Sequence, residues 1–287
     1  MKIPMLIIVM HLLIGQVLTA ENLTFEEALK SKAIRFDVKS ETGLRRMLLK
    51  IKNNKKTNIQ VDVESGRFFS EATGLYQPFV VAKPVAIRLA AGEEKEVWME
   101  AFCGNSSASS PKKDLKFKGT KMGPQLLCEV LQEMNKEKIV SKSLYQKVIW
   151  HFTNNHQLAS LYAHDLDSNT LKKTIQFICA KEKSNPSWYA IEYADAVSGD
   201  ELEFSGIPIQ IKGTLSFYNP ERETVSIELV RENGETVRVI QVHLKQPQGF
   251  ANLPIDLSLN KIPKGKYQVR VVNTEGKSLK EWPLYAS

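Results

Sequence analysis

The chain has 287 residues, 39 Lys and Arg against 32 Asp and Glu, and a formal net charge of +7. That excess is mild, the basic residues are interleaved with acids, and no nucleic-acid motif accompanies them, which excludes a nucleic-acid partner. Beyond the first twenty residues no apolar run approaches the ~18 needed to span a bilayer, so the mature chain carries no membrane span.

The N-terminus has a charged start at Lys2, an apolar run from Met5 to Ile14 interrupted by His11, and a return to polarity through Gly15 and Gln16 to Leu18-Thr19-Ala20. This is the layout of a secretory signal peptide over residues 1–20, with the mature chain starting near Glu21. The competing reading is a retained N-terminal anchor, since Leu18 is an imperfect residue three before the cut. Removal of the first 20 of 287 residues leaves 267, enough for two domains of ordinary size, and removal of Lys2 lowers the charge to +6.

After a short helical segment around Phe25 to Lys32, the chain reads as strands. Ala33 to Val38, Leu44 to Ile51, Ile59 to Val63, Phe79 to Leu89 (broken at Pro84) and Glu96 to Phe102 are short runs separated by turns, and Ile59-Gln60-Val61-Asp62-Val63 has a clear period of two. Such spacing implies an antiparallel β-sandwich over residues 21–103. Residues Gly104 to Lys121 read as a Ser-, Lys- and Pro-rich connector. Basic clusters at Arg45 to Lys56 and Lys112 to Lys121 read as solvated faces, or as patches for anionic lipid or glycan.

From Leu126 the period changes to three and four: Leu126, Leu127, Val130, Leu131 and Met134 share one helix face. Ser143 to Thr153 repeats the pattern with an N-cap at Ser141, and a further helix begins near Asp167 or Ser168 and carries Leu171, Ile175 and Ile178. Residues 104–183 are therefore a helical segment that packs on the first sandwich, because helices this short do not hide their apolar stripes alone.

A strand from Trp188 to Tyr193 opens the last unit, residues 184–287. Its further strands are Ile209 to Phe217, Thr224 to Val230, Thr236 to Val242, Ala251 to Leu257, Lys266 to Val272 and Ser278 to Pro283. Asn233-Gly234 predicts a two-residue hairpin between the third and fourth of these seven runs. The fold class is α+β: an N-terminal antiparallel sandwich, a central helical segment and a C-terminal sandwich.

Phe217-Tyr218-Asn219-Pro220, Val225 to Val239, Ile255-Asp256-Leu257 and Ile262 to Val271 carry a resemblance. Residues 213–284 resemble the small Ig-like domains of bacterial envelope and secreted proteins, of the flagellar hook-capping type or the C-terminal sorting domains of type IX secretion in Bacteroidetes. The sorting type has an Asp-containing turn after its third strand and a basic tail. Gln241 to Gln248 and the ending Trp282-Pro283-Leu284-Tyr285-Ala286-Ser287 lack both, so the resemblance implies a retained Ig-like module rather than a cleaved signal.

Three cysteines in an oxidising compartment leave at least one thiol unpaired or pairing between chains; Cys103–Cys128 is a possible bridge, and buried free thiols at Cys103, Cys128 and Cys179 are the alternative. His151, His156, His164, Asp165 and Asp167 fall within seventeen residues and are metal-ligating types, but no zinc spacing fits. Polar loop and capping roles are the expected alternative, with Asn154-Asn155 ending the helix and leaving the histidines in a loop. Trp150 reads as core, between Ile149 and Phe152. There is no P-loop, nucleophile elbow or His-Glu-x-x-His motif, and no catalytic, cofactor-binding or metal residue is assigned. The expected function is non-enzymatic: an exported periplasmic, secreted or cell-surface protein whose sandwich surfaces or edge strands bind a protein or glycan at the envelope. The alternative is a metal-dependent hydrolase with its site in the segment from His151 to Asp167.

Overall fold

A computed structural model describes residues 20–41, 46–162, 168–196 and 204–286. Strands take 48% of the chain and helices 20%, which makes the fold α+β and rich in β-sandwich.

The chain enters through β1 (Glu21–Thr24) and α1 (Phe25–Lys30). Thr24 and Glu27 form a reciprocal capping box that satisfies two N-terminal donors of this one-and-a-half-turn helix. Nine strands follow: β2 (Ile34–Glu41), β3 (Arg46–Asn53), β4 (Ile59–Val63), β5 (Arg67–Ser70), β6 (Phe79–Val81), β7 (Val85–Leu89), β8 (Glu94–Cys103) and, in the stretch expected to be a connector, β9 (Lys116–Phe117) with β10 (Gly119–Met122) just behind it. One sheet has the order β1-β4-β7 and the other β10-β5-β6-β8-β3-β2-β9. The connector is thus not a bare linker, because β9 and β10 close the two edges of the larger sheet. The pairing of β1 with β4 is parallel, a departure from an all-antiparallel sandwich. Met47, Leu49 and Ile51 on one sheet meet Ile59, Val61 and Val63 on the other, all fully buried, as the period-two pattern requires.

The helices α2 (Gln125–Lys136), α3 (Lys142–Asn154) and α4 (Ser168–Glu182), with a 3-10 turn at Leu158–Leu161, cover the outer face of the larger sheet. Phe68, Val80 and Phe102 point away from the sandwich interior into a second core with Leu127, Leu131, Leu144 and Val148. Phe102 stacks on Tyr145, whose hydroxyl donates to Asn135 Oδ1 at 2.8 Å; burial pushes that phenol up to about 12. Ser141 caps α3 by accepting from Leu144 N at 3.2 Å. Cys103, Cys128 and Cys179 are all free thiols.

The C-terminal unit comprises β11 (Tyr189–Tyr193), β12 (Pro208–Asn219), β13 (Glu223–Arg231), β14 (Thr236–Gln246), β15 (Gly249–Ser258), β16 (Gly265–Asn273) and β17 (Ser278–Ala286). They form two antiparallel sheets, β11-β12-β15 and β14-β13-β16-β17, packed over Leu215, Phe217, Ile227, Leu229, Ile255 and Val271. The hairpin at Asn233-Gly234 is one residue longer than expected. Arg231 N donates to Glu235 O at 2.9 Å, so three residues turn the chain and Gly234 takes the left-handed conformation at φ +86°.

The edges of this sandwich are blunted. β14 carries three register irregularities against β13 and a left-handed residue at His243, with φ of 54°. β15 and β17 contain Pro254 and Pro283, residues that a central strand does not accommodate. β11 is short and abuts the 3-10 turn, and Gln157 beside it donates to Tyr285 O at 3.1 Å.

Candidate functional site

The histidine segment carries the candidate metal-ligating residues. His151 lies in the last turn of α3 rather than in a loop, and His156 follows the helix end, where Asn155 is left-handed at φ 55°. Both ring nitrogens of His151 face protein acceptors: Nδ1 the carbonyl of His156, and Nε2 the carboxylate of Glu182 at 2.9 Å. His156 Nε2 lies 2.9 Å from Ser106 Oγ. Burial, with the His151 ring nearby, lowers the His156 pKa to about 4, so its imidazole is neutral at neutral pH. No group of three or more His, Cys, Asp or Glu able to hold a metal occurs among the described residues. His164, Asp165 and Asp167 lie outside the described residues.

Ser106 and His156 are the pairing that spacing alone did not reveal, being fifty residues apart. Ser106 is buried, its backbone N–H donates to Asn154 Oδ1 at 3.0 Å, and no carboxylate orients His156 among the described residues. A nucleophile needs a base held by a third group and an open face. This pair has neither, and it ties the loop after β8 to the end of α3.

Around it lies a cleft of about 440 Å³ with Trp150, His156, Tyr193 and Phe204 on its walls and Lys147, Glu192 and Asp195 at its rim. Phe204 fills the middle of these rings, with centroids 4.4 Å from His156, 4.8 Å from Tyr193 and 5.5 Å from Trp150. Trp150 is core, as expected, and only 7% exposed. The arrangement is a joint between the helical segment and the C-terminal sandwich.

The surface that stands out is the outer face of β11-β12-β15. Along β12 and β15 every second residue points inward: Leu215 and Phe217 on one strand, Ala251, Leu253, Ile255 and Leu257 on the other. The alternate residues point to solvent in cross-strand rungs: Tyr218 with Phe250, Ser216 with Asn252, Thr214 with Pro254, Lys212 with Asp256, and Gln210 with Ser258. Phe250 is 85% exposed and Tyr218 57%, and their rings meet edge-to-face with centroids 5.4 Å apart. One rung along, Ser216 Oγ donates to Asn252 Oδ1 at 2.7 Å, which leaves both N–H donors of the Asn252 amide without a protein acceptor among the described residues. Farther along, Gln210 Nε2 donates to Asp256 Oδ1 at 2.5 Å, and Lys212 pairs with Glu192 at 3.0 Å. A row of hydrogen-bonding groups thus leads away from an exposed aromatic pair. The phase of the alternation in Phe250-Ala251-Asn252-Leu253 already implies that Phe250 points outward, but the expected strand begins at Ala251, whereas β15 begins at Gly249 and includes Phe250.

No protein-family profile matches this chain, and no curated protein does. A β-glucosidase from Kluyveromyces marxianus is aligned in two solved structures. Its selenomethionine-labelled form matches over 86% of this chain at 9% identity and a TM-score of 0.22, and its glucose complex over 84% at 10% and 0.21. The chain spans 45% of the length of each. Scores this low carry no argument about fold or activity.

Proposed function

We propose that this chain is an exported, non-enzymatic binding protein of the bacterial envelope, secreted, periplasmic or displayed at the cell surface, whose C-terminal Ig-like module is retained and binds its partner. The observation that carries the reading is the Tyr218–Phe250 pair, exposed on a rigid sheet and followed by a row of polar rungs. Apolar rings left in water are costly, and a contiguous exposed patch of this kind marks an interaction surface. The blunted edges favour binding through the face over strand addition. The signal-like N-terminus supports export.

Co-sedimentation of the full-length protein with envelope fractions tests the reading. Wild-type protein should pellet with the envelope, and the Tyr218→Ala/Phe250→Ala double variant should stay in the supernatant. Fractionation of intact cells should find the protein outside the cytoplasm. Equal pelleting of both proteins, or a cytoplasmic location, would remove the proposal.

A further inference from the structure

We infer that the partner of the β11-β12-β15 face is a neutral polysaccharide, bound lengthwise along the rungs with a sugar ring packed on Tyr218 and Phe250. The inference rests on the binding role proposed for this face and specifies its ligand.

Size is the first argument. The face is two strands wide at the Tyr218, Ser216 and Thr214 rungs and gains β11 only from Gly213 toward Pro208, so strands at ~4.8 Å spacing and five rungs at ~6.8 Å give a footprint of at most about 10 by 27 Å, or about 270 Å². A stable protein partner needs ~800 Å² per side with an apolar centre, about three times as much. A short run of sugar residues needs only such a strip.

Chemistry is the second. A pyranose has one face of C–H groups and a rim of hydroxyls, each of which both donates and accepts. The two rings offer the apolar surface, and the next rung offers the free Asn252 amide donors; beyond it stand the Thr214 hydroxyl and the Asp256 carboxylate, whose Oδ1 is already held by Gln210. Short side chains at Ser216, Thr214 and Pro254 keep the strip level, so a rigid extended chain can lie across it.

Charge is the third. Among the described residues of β11, β12 and β15 the charges on this face are Lys212, Glu192 and Asp256, of which Lys212 and Glu192 neutralise one another at 3.0 Å. Among the described residues no basic cluster lies here to capture an anionic glycan or lipid headgroup by charge. Recognition by stacking and neutral hydrogen bonds should therefore be insensitive to salt.

The test is native electrophoresis of the full-length protein through gels cast with a soluble β-glucan, xylan, mannan or α-glucan, with alginate as an anionic contrast. At least one neutral polysaccharide should retard the wild-type protein, equally with and without added salt. Phe250→Ala and Tyr218→Ala should each weaken that binding by about tenfold or more, as expected for exposed aromatic anchors. Both side chains are exposed, so the variants should fold normally, and an unchanged melting temperature verifies this. The inference is overturned if no neutral polysaccharide retards the protein, if only alginate does, or if the variants bind as well as wild type. If envelope co-sedimentation still requires Phe250 in that case and is abolished by protease treatment of the envelope, the partner is a protein and the binding role of the face survives. Loss of both dependences removes both.

Discussion

The side-chain amide of Gln146 takes up both backbone polar groups of Cys103: Cys103 N donates to Gln146 Oε1 at 3.2 Å, and Gln146 Nε2 donates to Cys103 O at 2.7 Å. A residue on α3 thus acts as a one-residue strand at the end of β8 and fixes the helical layer to the sandwich. Both partners are buried. Gln146→Leu keeps the volume and removes the two hydrogen bonds made to a buried N–H and C=O, so it should cost about 2–4 kcal/mol by denaturant unfolding. A cost under ~0.5 kcal/mol would mean that the amide is not what joins the layers.

Arg67 is the other buried anchor, 1% exposed, with Nε 2.7 Å and Nη2 3.2 Å from the two oxygens of Glu64 and its guanidinium 5.4 Å from the Phe25 ring. Glu64 keeps some contact with water, which softens the loss of its partner. Arg67→Met should therefore cost about 2–3 kcal/mol, less than the usual penalty for breaking a fully buried pair. Arg67→Lys should recover little of it, since an ammonium cannot make the two-pronged contact. Chemical denaturation of both variants checks this, and full recovery by Lys would contradict the role of the fork.

His156 sets a pH dependence. Its folded pKa, near 4, lies below the ordinary value of 6.5, so the unfolded chain binds the extra proton between these pH values. Stability associated with neutral His156 is complete above pH 6.5 and is lost as pH falls toward 4. The ring is part-exposed, so the loss at pH 5 should be about 1 kcal/mol after solvent screening. His156→Gln keeps a partner for Ser106 and should flatten the fall in unfolding midpoint between pH 7 and pH 5 relative to wild type. Identical slopes would show that the imidazole is not shielded.

Much of the fold was legible from residue order, because period two and period 3.6 are imposed by burial on one face. The strands β12 to β17 and the helices α2 to α4 lie where those periods place them. What was not legible depends on contacts distant in sequence. The Lys116–Phe117 strand is too short to show a period and exists because Val38 lies opposite Phe117. The parallel pairing of Glu21–Thr24 with β4 leaves no local mark, and neither does the meeting of Ser106 with His156. In the candidate site the outward phase of Tyr218 and Phe250 was present in the alternation, but their adjacency required the register of β12 against β15.

Hydroxyl-radical footprinting of the full-length protein, with and without envelope material, reads out whether the β11-β12-β15 face is the proposed binding surface. Protection should centre on Tyr218 and Phe250, while Trp98, an exposed aromatic on β8 of the N-terminal sandwich, keeps its reactivity. Unchanged labelling of Tyr218 and Phe250, with protection appearing at Trp98 or along β14, would contradict it.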